Sequence, residues 1–117
     1  MEEGCALSKL KFGVPCSKLK EDIKDVEIHC SSEEEAMSIA AGAWLAGKEP
    51  TVYMQNSGLC RILDHVLSLY HPYEIPLPKL LLSIRHTPHH HKFCGEVSHD
   101  ILKLLKWKNV EIKEQKK

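Results

Sequence analysis

Apolar and polar residues along this chain of 117 residues fall into blocks that switch between a two-residue and a helical period. Residues 10–14 read as a first strand, closed by Pro15, Cys16 and Ser17. Ser17 is placed to cap a short helix through Asp25, with Leu19 and Ile23 one turn apart. Val26, Ile28 and Cys30 alternate along a second strand, and TVYMQ at 51–55 reads as a third. Leu59, Ile62, Leu63, Val66, Leu67 and Tyr70 recur at helical spacing until Pro72, Pro76 and Pro78 stop the helix. KLLLSI at 79–84 is the near-continuous apolar run of a strand buried on both faces. A histidine-rich loop is expected over 86–95. Ser98 then caps a helix holding Ile101, Leu102, Leu104 and Leu105, and residues 107–112 form a last strand. This alternation predicts an α/β domain, a parallel sheet with helices on both faces.

The stretch 31–59 organises the rest. Ser31 or Ser32 caps its helix, with Glu34 or Glu35 as the reciprocal partner of a capping box, and Glu33, Glu34 and Glu35 suit the positive end of the helix dipole. Ala36, Ala40, Ala43 and Gly47 line one face with side chains no larger than a methyl, which lets another backbone approach. Met37, Ala41 and Trp44 occupy the opposite face, so the helix is expected to be buried nearly all round. The third strand then runs into Gln55-Asn56-Ser57-Gly58, polar residues at a strand-to-helix junction, where open α/β sheets bind ligands.

Sixteen basic and sixteen acidic side chains cancel, which gives no reason to expect nucleic acid or an anionic membrane as partner. The acidic start, with no apolar stretch behind it, predicts no secretory signal, and no apolar run is long enough to span a bilayer. A cytoplasmic protein is expected. Cysteines at 5, 16, 30, 60 and 94 are odd in number and widely spaced, so neither a disulfide framework nor a zinc site is indicated. Cys16, Cys30 and Cys60 read as small buried fillers. His86, His89, His90 and His91 are too close in one loop to converge on an ion, and no metal site is expected.

Four segments carry a resemblance: F-G-V-P-C-S-K-L-K at 12–20, the Glu-led Ala/Gly helix at 33–47, M-Q-N-S-G-L at 54–59 and S-L-Y-H-P-Y-E-I-P at 68–76. In order and content they resemble the pyrimidine-binding (PYR) domain of thiamine-diphosphate-dependent decarboxylases, a Rossmann- or flavodoxin-like domain. The nearest subgroup is that of sulfopyruvate decarboxylase alpha subunits and phosphonopyruvate decarboxylases. On this resemblance, residues 1–117 form a single, shortened PYR-type domain.

The resemblance implies that Glu33 hydrogen-bonds N1′ of the cofactor's aminopyrimidine and so activates it. It also implies that Gln55, Asn56 and Gly58 lie beside the pyrimidine and that Ser17 contacts the substrate carboxylate. On pattern alone Glu33 is one of three dipole-complementing acids, while Ser17 and Ser57 serve equally well as caps. The 36–47 helix matches one packed between PYR domains, so a homo-oligomer is implied. The chain lacks the Gly-Asp-Gly…Asn pattern that holds magnesium and diphosphate, which implies a separate PP-type beta subunit. The implied substrate is a small anionic 2-oxo acid. Cys60, Arg61, Asp64 and His86 depart from the family pattern; Cys60, Arg61 and ends that look clipped beside the family motivate an alternative, a non-catalytic PYR-like dimerisation and protein-interaction module.

Overall fold

The structure, a computed structural model, describes residues 9–14 and 28–115. Five parallel strands form one sheet: β1 (Lys9–Gly13), β2 (Ile28–His29), β3 (Glu49–Gln55), β4 (Lys79–Ile84) and β5 (Val110–Glu114), in the order β2-β1-β3-β4-β5. The register sets Phe12 beside Val52, Met54 beside Leu82, and Leu82 beside Ile112. β4 is buried from its second residue to its last, as a continuous apolar run between two parallel neighbours requires. The predicted helix at 17–25, and Ser17 with it, lies outside the described residues.

Three helical segments follow β2, β3 and β4: α1 (Glu33–Leu45), α2 (Ser57–Arg61) and α3 (Lys92–Leu104). Each of these connections steps the same way along the sheet, so right-handed crossovers put all three on one face. There Val52, Met54, Leu80, Leu82 and Ile84 meet Ala36, Met37, Ala40, Leu59, Ile62 and Leu102 in one core. Tyr53, Leu81 and Ser83, one residue out of phase on the strands, are buried on the other face.

Ser32 starts α1 in extended geometry and accepts a hydrogen bond from Glu35 N at 3.1 Å, while Glu35 Oε1 accepts from Ser31 N at 2.8 Å. The smooth face is used inside the chain: Ala36 and Ala40 are fully buried against the sheet. Gly47 does not belong to that face. Its φ of 87° makes it the left-handed residue that ends the helix, with Lys48 N bonded to Ala43 O at 2.9 Å. Nor is α1 buried nearly all round, because Ser38, Gly42, Leu45 and Ala46 are exposed.

The predicted 59–70 helix is broken. α2 ends at Arg61, and the chain resumes as a π-helix over His65–Tyr70, whose wider turn bonds His71 N to Val66 O at 3.1 Å. Val66 and Tyr70 stay buried while Leu67 turns outward, and Tyr70 Oη donates to Met37 O at 2.7 Å. Ser98 caps nothing. A 3₁₀ turn of His89–His91 leads directly into α3 at Lys92, which leaves Ser98 buried inside the helix, donating to Cys94 O at 2.6 Å. Leu104, expected in the core, is exposed, whereas Trp107 is buried and donates Nε1–H to Pro78 O at 2.8 Å.

Candidate functional site

In this strand order the direction of connection reverses between β1 and β3, and ligands of open α/β sheets bind in the crevice at the carboxyl ends of those strands. Gly13 ends β1 and Gln55 ends β3. A Cβ on Gly13 would run into the Tyr53 carbonyl and ring, so glycine is required where β1 passes Tyr53. The Tyr53 hydroxyl reaches across to His29 Nδ1 at 2.9 Å. Sequence reading did not single out this polar pair at the switch point, although the glycine within the first strand was its signal.

The structure brings Glu33 and Gly58 together. A Cβ on Gly58 would stand 2.5 Å from Glu33 Cγ and 3.0 Å from Cδ, so the glutamate side chain lies over the bare backbone of the Gly58 turn. The three first-turn glutamates thus have separate roles. Glu35 closes the cap. Glu34 accepts from Arg61 Nε at 3.3 Å, and its carboxyl is held below the ordinary range first by its own backbone amide and then by Arg61. Glu33 is mostly covered, with 15% of its side chain exposed, and takes no part in the cap; Arg61 Nε stands 3.5 Å from its Oε1. The exposed Arg61 guanidinium therefore stands beside the carboxylates of both Glu33 and Glu34.

Gln55 is half-buried at the strand end, its Nε2 donating to Ser57 Oγ at 3.4 Å. Asn56 points the other way. It is fully buried; its Nδ2 donates to Ser98 Oγ at 3.0 Å and approaches Cys94 Sγ at 3.5 Å, and its Oδ1 accepts from Arg85 N at 3.2 Å. Its backbone N–H adds a bond to Ser83 O at 2.8 Å. Every polar group of the Asn56 side chain is thus engaged in tying β3, β4 and α3 together.

The histidines separate. His89, His90 and His91 form the turn before α3, the first two exposed and the third half-buried, while His86 is buried. Its Nε2 donates to Glu114 Oε2 at 2.7 Å, and His99 Nε2 meets Glu114 Oε1 at 2.9 Å. His86 N and Thr87 N both donate to Gln115 Oε1, which pins the end of β5. Gly95 is bare because a Cβ there would strike the His86 ring. Among the described residues no three His, Cys, Asp or Glu side chains are grouped to hold a metal ion, and no helix is long and apolar enough to cross a membrane.

A cleft of about 650 Å³ opens at the opposite end of the sheet, between Lys11, Trp44, Pro50, Pro78, Lys79 and Asn109. It lies at strand amino ends, away from Glu33, and brings none of the site residues together.

No family model matches the chain. It is related in sequence to sulfopyruvate and phosphonopyruvate decarboxylases. Sulfopyruvate decarboxylase subunit alpha of Methanocaldococcus jannaschii is 42% identical over 80 residues, 62% of this chain and 46% of the relative. That of Methanothermobacter thermautotrophicus is 34% identical over 103 residues, 79% of this chain and 62% of the relative. Phosphonopyruvate decarboxylase of Streptomyces viridochromogenes is 34% identical over 109 residues, 81% of this chain and 27% of the relative. The chain thus spans about half the length of the alpha subunits it matches.

Proposed function

We propose that this relative of the sulfopyruvate and phosphonopyruvate decarboxylases is the PYR-type, alpha-like part of a thiamine-diphosphate-dependent 2-oxo acid decarboxylase. A separate PP-type subunit would hold magnesium and diphosphate, and the substrate would be a small 2-oxo acid carrying a sulfonate or phosphonate. The relatives' names, two of them "subunit alpha", support a subunit with this activity. The observation that carries the reading is Glu33 held over Gly58 beside the carboxyl end of β3.

The residues present fit the aminopyrimidine end of the cofactor. Glu33 is covered yet uninvolved in the helix cap, the condition for a carboxyl that hydrogen-bonds a ring nitrogen in a dry pocket. The cofactor, when bound, supplies the electron sink for loss of carbon dioxide from a 2-oxo acid. Glu33 would hold a proton at the ring nitrogen, and Gly58 keeps the space for the glutamate open. Gln55 borders the same turn, and Asn56 holds that turn against α3 rather than facing a ligand. Arg61 competes with the ring nitrogen for Glu33 Oε1, so binding requires it to keep only its Glu34 contact. Ser17 retains its proposed place at the substrate carboxylate. Self-association through α1 would use the outward Ser38, Gly42 and Ala46 face, since Ala36 and Ala40 are already covered.

Calorimetric titration of thiamine diphosphate with magnesium, into this chain alone and then mixed with a candidate PP-type subunit, tests the reading. Binding is expected only in the mixture and is weakened in Glu33→Gln. A complex that forms but binds no cofactor would favour the non-catalytic interaction module instead.

A further inference from the structure

The cleft at the amino ends of the strands has no part in the catalytic reading, and its volume of about 650 Å³ suits a small-molecule ligand. Its walls are held in place. Pro50 and Pro76 line it with restricted backbone, Trp107 Nε1–H donates to Pro78 O at 2.8 Å, and Leu80 N donates to Asn109 O at 2.9 Å. The whole chain has no net charge, yet three lysines line this cleft, Lys11, Lys48 and Lys79, against one carboxylate, Glu49. The register sets Lys11 beside Thr51 and Thr51 beside Lys79, so these three share one face of β1, β3 and β4. Among the described residues the half-buried Lys48 makes no side-chain hydrogen bond or ion pair, and neither do Thr51 and Asn109. Lys79 pairs with Glu111 at 3.5 Å, an exposed contact of the kind that contributes little and yields to a better partner.

We propose that this cleft is a second binding site, for a phosphate monoester carried on a flat, largely apolar body of nucleoside size. Lys48 and Lys79 supply the charge, and the Thr51 hydroxyl, set between the β1 and β4 lysines, donates the hydrogen bond that orients the phosphate. Lys48 thereby gains the counter-ion that a half-covered ammonium otherwise lacks. The exposed Trp44 ring offers a flat wall to the body of the ligand, with Pro76 and Pro78 as further apolar surface. Glu49 accepts from a hydroxyl or amino group on that body, and Asn109 offers both a donor and an acceptor. Inorganic phosphate alone would leave the Trp44 wall and most of the volume unused. The site lies at the opposite end of the sheet from Glu33 and does not depend on the catalytic reading.

The test titrates adenosine monophosphate to millimolar concentration into the isotopically labelled full-length chain, followed by two-dimensional amide NMR, with adenosine and inorganic phosphate as separate arms. Saturable shifts are expected at the Trp44 indole, identified by its loss in Trp44→Phe, and at the amides of Lys48, Thr51 and Asn109. Lys48→Gln and Lys79→Gln should each weaken binding about tenfold while amide positions outside the cleft keep their places. Added salt should weaken it as well. No saturable shift at these positions would overturn the proposal. So would shifts that gather at Glu33 and Gln55 instead, or that the double variant Lys48→Gln with Lys79→Gln leaves unchanged. Adenosine or inorganic phosphate binding as tightly as the monophosphate would equally overturn it.

Discussion

Glu33 lies across the backbone of Gly58, its Cγ only 2.5 Å from where a Gly58 side chain would begin. The glycine does not serve a left-handed turn, since Gly47 alone among the described glycines has a positive φ. Its bareness is a demand made by the glutamate. Alanine fits the backbone at position 58 and is the better helix former by about 1 kcal/mol, so Gly58→Ala should fold with little change in melting temperature. Glu33 must nonetheless rotate away. In the reconstituted complex, cofactor binding should fall to the level of Glu33→Gln; wild-type binding by a well-folded Gly58→Ala would contradict the assigned site.

Asn56 is read as a positioning residue, and stability is its measure. Asn56→Ala leaves the Arg85 amide and the Ser98 hydroxyl without their partner. The expected loss is about 1–3 kcal/mol, seen as a lower urea midpoint with unchanged slope. A stability-neutral Asn56→Ala would return this side chain to the ligand.

Much of this was legible beforehand. β4 was readable because a strand between two parallel neighbours is buried on both faces, and from Leu80 to Ile84 only Ser83 interrupts its apolar run. The α1 start was readable because a serine pair followed by glutamates states its own hydrogen bonds. The 59–70 segment was not, since apolar spacing cannot distinguish a continuous α-helix from a short one resumed with π-turns, and Leu67 was lost to that difference. Ser98 resembled a cap because it precedes an apolar run; what holds it inside the helix is Asn56, forty-two residues away in sequence. The three glutamates were indistinguishable as a run. Only the fold separates them, one on the cap, one on Arg61 and one on Gly58.

The small-residue face of α1 bears on assembly through its corrected orientation. Ala40→Leu overpacks the core of a single chain and should cost about 1–3 kcal/mol whatever the oligomeric state. Gly42 has open space around its missing Cβ, so Gly42→Leu should leave the isolated fold intact. If the outward face of α1 joins two copies, light scattering after gel filtration will show Gly42→Leu as a folded monomer. A Gly42→Leu chain of unchanged mass would remove α1 from the interface.

The last prediction concerns pH and the end of β5. Glu114 is gripped by His99 on one oxygen and His86 on the other, and its carboxyl is held below the ordinary value of 4.5, first by His99 and then by His86. The unfolded chain, lacking these partners, binds the proton more readily. Stability therefore rises with pH through this window: the contribution is complete above the ordinary carboxylate range and is lost as pH falls through the folded value. Glu114→Gln has no proton to gain there. Its melting temperature should start below wild type near neutrality and fall less on acidification, so the two curves converge. The comparison is isolated by His99→Gln, which removes the larger cause and should recover part of the flattening while the buried His86 contact remains. Parallel curves for wild type and Glu114→Gln would mean that the clasp contributes nothing to holding β5 on the sheet.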